Sequence, residues 1–230
     1  MKFLQFYLAL FLLLFVNQTL NSQIKHVFNP ANAREGELVE YCHTHLKMNE
    51  LLQNPDYAKA KAEDDANFNA ALKKGGFQKA TIYKIPVVFH VLHNNGVENI
   101  SDEQILDGLF ILNRDFRKMN SDTVIVVDAF DQLVADAGIE FKLATKDPDG
   151  NCTSGITRTV SDLTTVGDQQ VKDLIMWPRN EYLNIWVVQN ADGAAGYSNL
   201  PPNVAGNWGA DTDGIVVRSD YVGSIGTSSV

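Results

Sequence analysis

The sequence predicts an α/β (α+β) fold: a mixed, twisted sheet with packed helices, preceded by a mostly helical N-terminal segment. Three observations carry this expectation. Strand-like and helix-like runs alternate after residue 80, the pattern of helices layered on a sheet. The runs at 85–93 and 182–188 are apolar on both faces, as in strands covered on two sides. The segment 23–80 is instead polar and rich in Ala, Asn, Glu and Lys, with few apolar residues to support a core of its own. With 230 residues, 45% of them hydrophobic and 20% charged, the chain can build one sizeable core and an accessory segment.

The elements follow in order. Helix formers at 57–74, among them Ala58, Lys59, Ala60, Lys61, Ala62 and Glu63, end at Gly75-Gly76, a helix stop. Residues 23–80 read either as a pro-segment or arm lying on the main domain, or as a flexible spacer. Residues 85–93 (Ile-Pro-Val-Val-Phe-His-Val-Leu-His) form the first strand of the main domain. Ser101 through Gln104 form a capping box, with Ser101 as the N-cap and Gln104 three positions on. Ile105, Leu109, Leu112 and Phe116 then share one helical face. The stretch 138–144 alternates, with Ile139, Phe141 and Leu143 on one side and Glu140 and Lys142 on the other. Asp147-Pro148-Asp149-Gly150-Asn151 is a turn. A second helix spans 168–176 and stops at Pro178. After the strand at 182–188, a Gly/Asn/Pro-rich loop runs over 190–213. Ile215-Val216-Val217 is a short last strand.

The start of the chain points to export. Lys2 precedes an apolar run at 3–16, and polarity returns at 17–23. That run is short for a membrane span, which needs roughly 20 apolar residues. It fits a secretory signal over residues 1–22 with Ser22 before the cut, or else an uncleaved anchor. The implied location is secreted, where a disulfide survives. The net charge of −9 argues against a nucleic-acid partner, because phosphates are repelled.

Chemistry is sparse. His90 and His93 supply two of five histidines, but residues three apart on a strand point to opposite faces. They read as core or edge histidines more readily than as a metal pair. Cys42-His43-Thr44-His45 groups a thiol and two imidazoles, at most three ligands of undefined geometry. The chain has no Gly-x-Ser-x-Gly, no phosphate-binding Gly-rich loop and no His-Glu-x-x-His. Three sequons, at Asn17, Asn99 and Asn151, have meaning only in a glycosylating host. The two cysteines, Cys42 and Cys152, permit a disulfide without demanding one.

A series of short segments nevertheless resembles a known family. It runs through Ile85–Leu92, Ile100–Ile105, Leu112-Asn113-Arg114-Asp115-Phe116, Ile139–Ala144, Asp147–Asn151, Gly155-Ile156-Thr157-Arg158, Tyr182–Val188 and Asp213–Val217. In this order and spacing these segments resemble the upper catalytic subdomain of pappalysin-type (cytophagalysin-like) zinc metallopeptidases, a metzincin family. The resemblance covers residues 81–230. It implies a metzincin-like upper subdomain at 81–230 behind a prodomain at 23–80. It further implies that Asp213, Gly214, Ile215, Val216 and Val217 form the edge strand along which a peptide substrate pairs. In the family a His-Glu-x-x-His-x-x-Gly-x-x-His helix comes next and holds zinc, and its Glu activates the metal-bound water. Those residues are absent from 1–230, so the expectation is an N-terminal part of the peptidase with no catalytic residue and no zinc ligand of its own. The resemblance gives Cys42 a latency role, its thiolate reaching a zinc site beyond Val230, although His43 stands where the family motif has Gly. It pairs Cys152 with a cysteine outside this chain.

The function expected from the sequence is therefore the N-terminal part of a secreted zinc-dependent metalloendopeptidase acting on peptides or proteins, inactive by itself. The alternative is a secreted, non-enzymatic peptide-binding module built on the same sheet.

Overall fold

The computed structural model describes residues 40–74, 82–131, 133–199 and 209–228. The predicted signal at 1–22 and the helix stop at Gly75-Gly76 lie outside the described residues. No helix among the described residues is long and apolar enough to cross a membrane.

The fold is mixed α/β, as the sequence predicts. Its strands are β1 (Glu40–Cys42), β2 (Tyr83–His93), β3 (Ile139–Leu143), β4 (Ile156–Val160), β5 (Leu183–Val188), β6 (Ala194–Asn199) and β7 (Gly214–Arg218). Its helices are α1 (Thr44–Leu52), α2 (Pro55–Lys73), α3 (Asp102–Phe116), α4 (Asp128–Asp131) and α5 (Gln169–Leu174). One sheet takes the strands in the order β1-β6-β7-β5-β2-β3, with β4 also on β2. The β6–β7 pair is antiparallel, and the others are parallel.

The 11-residue β2 organises the sheet because it is long enough to pair with two strands in succession along one side. Tyr83 to Val87 pair with β3, and Phe89 to His93 pair with β4. At the changeover Ala144 N donates to Val87 O at 2.8 Å, and Phe89 N donates to Gly155 O at 2.9 Å. Gly155 has φ 72°, and a Cβ there would stand 2.7 Å from Ala144 N. Only glycine allows the two strand ends to meet so closely.

Alternation along the parallel strands divides two cores. Val87, Phe89, Val91, Ile185 and Val187 face α3, where Ile105 and Leu109 cover them, with Ile100, Phe141 and Val222 completing the cluster. Leu92, Trp186, Val188, Tyr197 and Val216 face the other way and pack on Val171 of α5. Burying each large side chain stabilises the fold by about 1.5–3 kcal/mol. Ile215 and Val217 of β7 are only partly buried on the α3 side. Phe116 closes α3 with an edge-on contact to Phe141, ring centroids 4.9 Å apart.

The capping box at α3 forms only in half. Ser101 Oγ accepts from Gln104 N at 3.2 Å. The Gln104 side chain does not reach back to Ser101. Its amide nitrogen donates to the carbonyls of Ser219 and Val222, both at 3.0 Å, and its Oε1 accepts from Thr227 N at 3.0 Å. It therefore ties the turn after β7 to the start of α3.

Candidate functional site

The site is an edge of the sheet. A strand with one unpaired side offers a row of N–H and C=O groups to another extended chain. The sequence reading put that edge at Asp213 to Val217, and the structure corrects it. Val217 of β7 pairs with Val187 of β5 on one side and Gly196 of β6 on the other, so β7 is an interior strand. Its backbone groups are engaged on both sides and cannot accept a further strand. Asp213 stands at the N-terminal end of β7, where it accepts from Arg179 at 3.3 Å. It lines a cleft of about 780 Å³ with Trp177, Pro178 and Arg179.

The strand beside β7, β6, lies inside the region read from sequence as a loop. Ala194-Ala195-Gly196-Tyr197-Ser198-Asn199 is small and polar, without the apolar or β-branched residues that mark a strand. Its burial nevertheless alternates with period two: Ala195, Tyr197 and Asn199 are buried while Gly196 and Ser198 are not. Gly196 is required by packing, since a Cβ there would sit 2.9 Å from Val216 O. Before it, Asp192 and Gly193 take left-handed φ values of 52° and 82°, and Ala194 N closes the turn on Ala191 O at 3.0 Å. Asp-Gly suits such a turn because both residues tolerate positive φ.

The outer side of β6 is covered by the chain's own N-terminal arm. Glu40 to Cys42 pair in parallel with Ala194 to Gly196. His43 N donates to Gly196 O at 3.3 Å, and Ser198 N donates to Thr44 Oγ1 at 2.9 Å. Helix α1 follows directly and brings Lys47 into an ion pair with Asp192 and within 5.4 Å of the centre of the Tyr197 ring. Burial opposes the Lys47 charge, but the hydrogen bond and the charge of Asp192, with Glu50 adding, raise its pKa above the ordinary lysine value. Helix α2 is capped by Asn54, whose Oδ1 accepts from Asp56 N at 2.9 Å, with Pro55 in the first turn. Tyr57, 1% exposed, anchors α2, and Gly209 lies close against its ring.

Beneath β6, Lys172 of α5 is buried. Its ammonium donates to Asn199 Oδ1 at 2.9 Å and to Thr212 O, and lies 5.1 Å from the Tyr197 ring centre and 5.5 Å from that of Trp186. It therefore holds the end of β6 to the turn that precedes β7. Burial is the main cause that lowers its pKa to about 8, against nearby carboxylates led by Asp213. Tyr197 Oη donates to Gly167 O at 3.0 Å, and burial, with Asp192, Asp168 and Glu50 adding, raises its pKa.

Among the described residues the histidines do not form a site. His90 faces the α5 side, between Trp177 and Trp186, and bonds to Thr157 and Asn184. His93 Nδ1 accepts from Asn95 N at 3.2 Å. Cys42 and Cys152 are exposed free cysteines. Among the described residues no three His, Cys, Asp or Glu side chains converge to hold a metal ion. The described residues thus do not by themselves assemble a zinc site.

No family model matches the chain. No curated protein matches it either. Solved structures do. A point mutant of Tannerella forsythia promirolysin is similar over 82% of this chain and 62% of its own, at 32% identity and TM-score 0.65. Mirolysin in complex with compound 9 is similar over 65% of this chain and 57% of its own, at 37% identity and TM-score 0.56. Tannerella forsythia mature mirolysin in complex with a cleaved peptide is similar over 66% and 57%, at 37% identity and TM-score 0.54. This chain therefore spans less than two thirds of the length of each of these neighbours. In fold and in aligned sequence, the chain is similar to mirolysin.

Proposed function

We propose that this chain is the sheet-bearing part of a secreted, zinc-dependent metalloendopeptidase of the pappalysin type, with residues 1–22 as its signal, 23–80 as its pro-segment and 81–230 as the upper part of its catalytic domain. The observation that carries this reading is β1 lying on β6. An extended segment already occupies the outer side of β6, as an extended peptide would. The likeness to a promirolysin over 82% of this chain, against 65% and 66% for the two mirolysin structures, supports reading the arm as a pro-segment.

In this reading the chain's own residues bind and position. The β6 edge takes the substrate backbone as an added strand, and the peptide-pairing role assigned from sequence to residues 213–217 passes to 194–199. Lys172 fixes the end of β6, and Gln104 fixes the turn after β7. The arm blocks the edge until it is removed. A three-residue β1 makes few ladder bonds, so the hold on the arm rests largely on α1 and on Tyr57 of α2. Cys42, next to the β6 edge with a free and exposed thiol, is the proposed latency ligand to a zinc held by other residues. Zinc, when bound, would supply an activated water, and its ligands other than Cys42 lie outside the described residues. Cys152 pairs with a cysteine elsewhere in the whole protein.

The test is the coding sequence that follows Val230, together with an assay. An in-frame His-Glu-x-x-His shortly after Val230, and chelator-sensitive hydrolysis of casein by the resulting protein, are expected, while residues 1–230 alone hydrolyse nothing. A stop codon after Val230 in an expressed gene favours instead the non-enzymatic, peptide-binding module. The observation behind that second reading is a pairing edge without a metal-ligand set among the described residues.

A further inference from the structure

The turn between β2 and α3 holds a reactive pair. Asn95-Gly96 is the sole Asn-Gly step in the chain. A backbone nitrogen can attack the side-chain amide of the residue before it, and glycine crowds that nitrogen least. Both residues are exposed, and Asn95 holds a left-handed φ of 61°. The Asn95 backbone is fixed, its N–H donating to His93 Nδ1 at 3.2 Å. Its side-chain amide makes no hydrogen bond among the described residues. Other asparagines are tied down. Asn190 Oδ1 accepts from Gly193 N at 2.9 Å, and Asn151 Nδ2 donates to Asp147 Oδ2 at 3.2 Å.

The turn also supplies a base. Glu98 Oε1 accepts from Gly96 N at 3.1 Å and from Asn94 N at 2.6 Å. The carboxylate lies so close over Gly96 that a Cβ there would strike it. Burial opposes the Glu98 charge, but backbone bonds from Asn94, Glu98 itself and Gly96, with His93 nearby, hold its pKa below the usual carboxylate range. An ionised carboxylate therefore sits on the nitrogen that must lose its proton.

We propose that Asn95-Gly96 is a self-modification site at which Glu98 acts as the base. The Gly96 nitrogen attacks Asn95 Cγ while its proton passes to the Glu98 carboxylate. The Cγ–Nδ2 bond breaks, and Nδ2 takes up that proton and leaves as ammonia. Water then opens the five-membered succinimide at either carbonyl, giving aspartate or isoaspartate. No oxidant, metal or second protein enters the reaction. Either product adds a carboxylate to a turn already bonded to Asp162 through Asn94 Nδ2, at 2.6 Å. Isoaspartate also lengthens the backbone just before buried Ile100 and Ser101, the N-cap of α3. Modification thus loosens the link from sheet to helix with time. The inference is independent of the peptidase reading, since neither substrate nor zinc takes part.

The test is prolonged incubation of the whole folded chain in neutral buffer, followed by peptide mapping with mass spectrometry. Asn95 is expected to deamidate, with isoaspartate among the products, while Asn151 and Asn190 stay unchanged. Glu98→Gln keeps the acceptor oxygen but not the base, and should slow the reaction in the folded chain about tenfold or more. In guanidinium chloride, where the contact is lost, the two chains should react at equal rates. Asn95 unchanged, equal rates for the two folded chains, or a difference that survives unfolding each overturn the proposal. Should Glu98→Gln loosen the fold, the unaltered chain gives the same decision: Asn95 should react faster folded than unfolded, and a slower folded chain overturns the proposal.

Discussion

His90 Nε2 donates to Asn184 Oδ1 at 2.9 Å across β2 and β5. The same Oδ1 accepts from Trp177 N at 2.8 Å, and Asn184 Nδ2 donates to Trp177 O at 2.9 Å, which fixes the amide orientation. His90 therefore carries its proton on Nε2, and its Nδ1 accepts from Thr157 Oγ1 at 2.7 Å. The ring is neutral, bonded at both nitrogens and 0% exposed, so protonation would bury a charge.

Acid should therefore unfold the protein through His90. Burial lowers its pKa from 6.5 to about 4, outweighing the Asn184 bond. The unfolded chain binds this proton more readily, so stability is complete above pH 6.5 and is lost as pH falls towards 4. The full loss is about 3 kcal/mol. Urea titrations across this window should show the loss, and His90→Gln should flatten it while costing about 1–3 kcal/mol at neutral pH.

Lys172 sets the alkaline side. Its folded pKa is about 8 against 10.5 unfolded, so between these values the unfolded chain holds more protons and stability rises with pH. The rise is about 3 kcal/mol at most. Tyr197 works in the other direction at higher pH, because burial keeps it protonated in the folded state while the unfolded phenol ionises near 10. Stability should pass through a maximum between these limits. Lys172→Met should remove the rise, leaving a flat profile up to about pH 10 and a decline above it.

The arm should be separable from the core. Tyr57 and Ala60 are the buried residues of α2, and the rest of its surface is largely exposed. Tyr57→Ala should weaken arm docking by about 3 kcal/mol. Amide exchange at His43 and Ser198 should speed up, and proteolysis within 40–74 should accelerate, with the β2–β5 core amides unchanged. Parallel loosening of arm and core would contradict a docked arm.

The parallel strands were legible by pattern: 85–93 and 182–188 are apolar on both faces, 215–217 is a β-branched run, and 138–144 alternates. The runs at 85–93, 138–144, 182–188 and 215–217 each match an observed strand to within two residues at either end. Three strands were not legible. Glu40–Cys42 and Ile156–Val160 carry Glu40, Cys42, Thr157 and Arg158, which a sheet margin tolerates but a sequence pattern does not advertise. Ala194–Asn199 takes small residues because its neighbours crowd it, as Gly196 against Val216 shows. Missing β6 moved the edge by one strand and put the pairing residues at 213–217. Strand order comes from contacts between distant segments, and local pattern carries none of that. Gln104 failed as a capping-box partner for a related reason. Gly223 and Gly226, with φ of 73° and 67°, let the turn after β7 approach α3 closely enough to claim its side chain.

The proposed peptidase role turns on the β6 edge being occupied by the chain's own arm. It is tested most directly on the protein translated past Val230, assayed on casein before and after cleavage of the arm near residue 80, with and without chelator. Negligible hydrolysis is expected while the arm is attached, chelator-sensitive hydrolysis once it is released, and renewed inhibition by an added peptide of residues 40–50. Hydrolysis that is indifferent to the arm, or none after its removal, would contradict it.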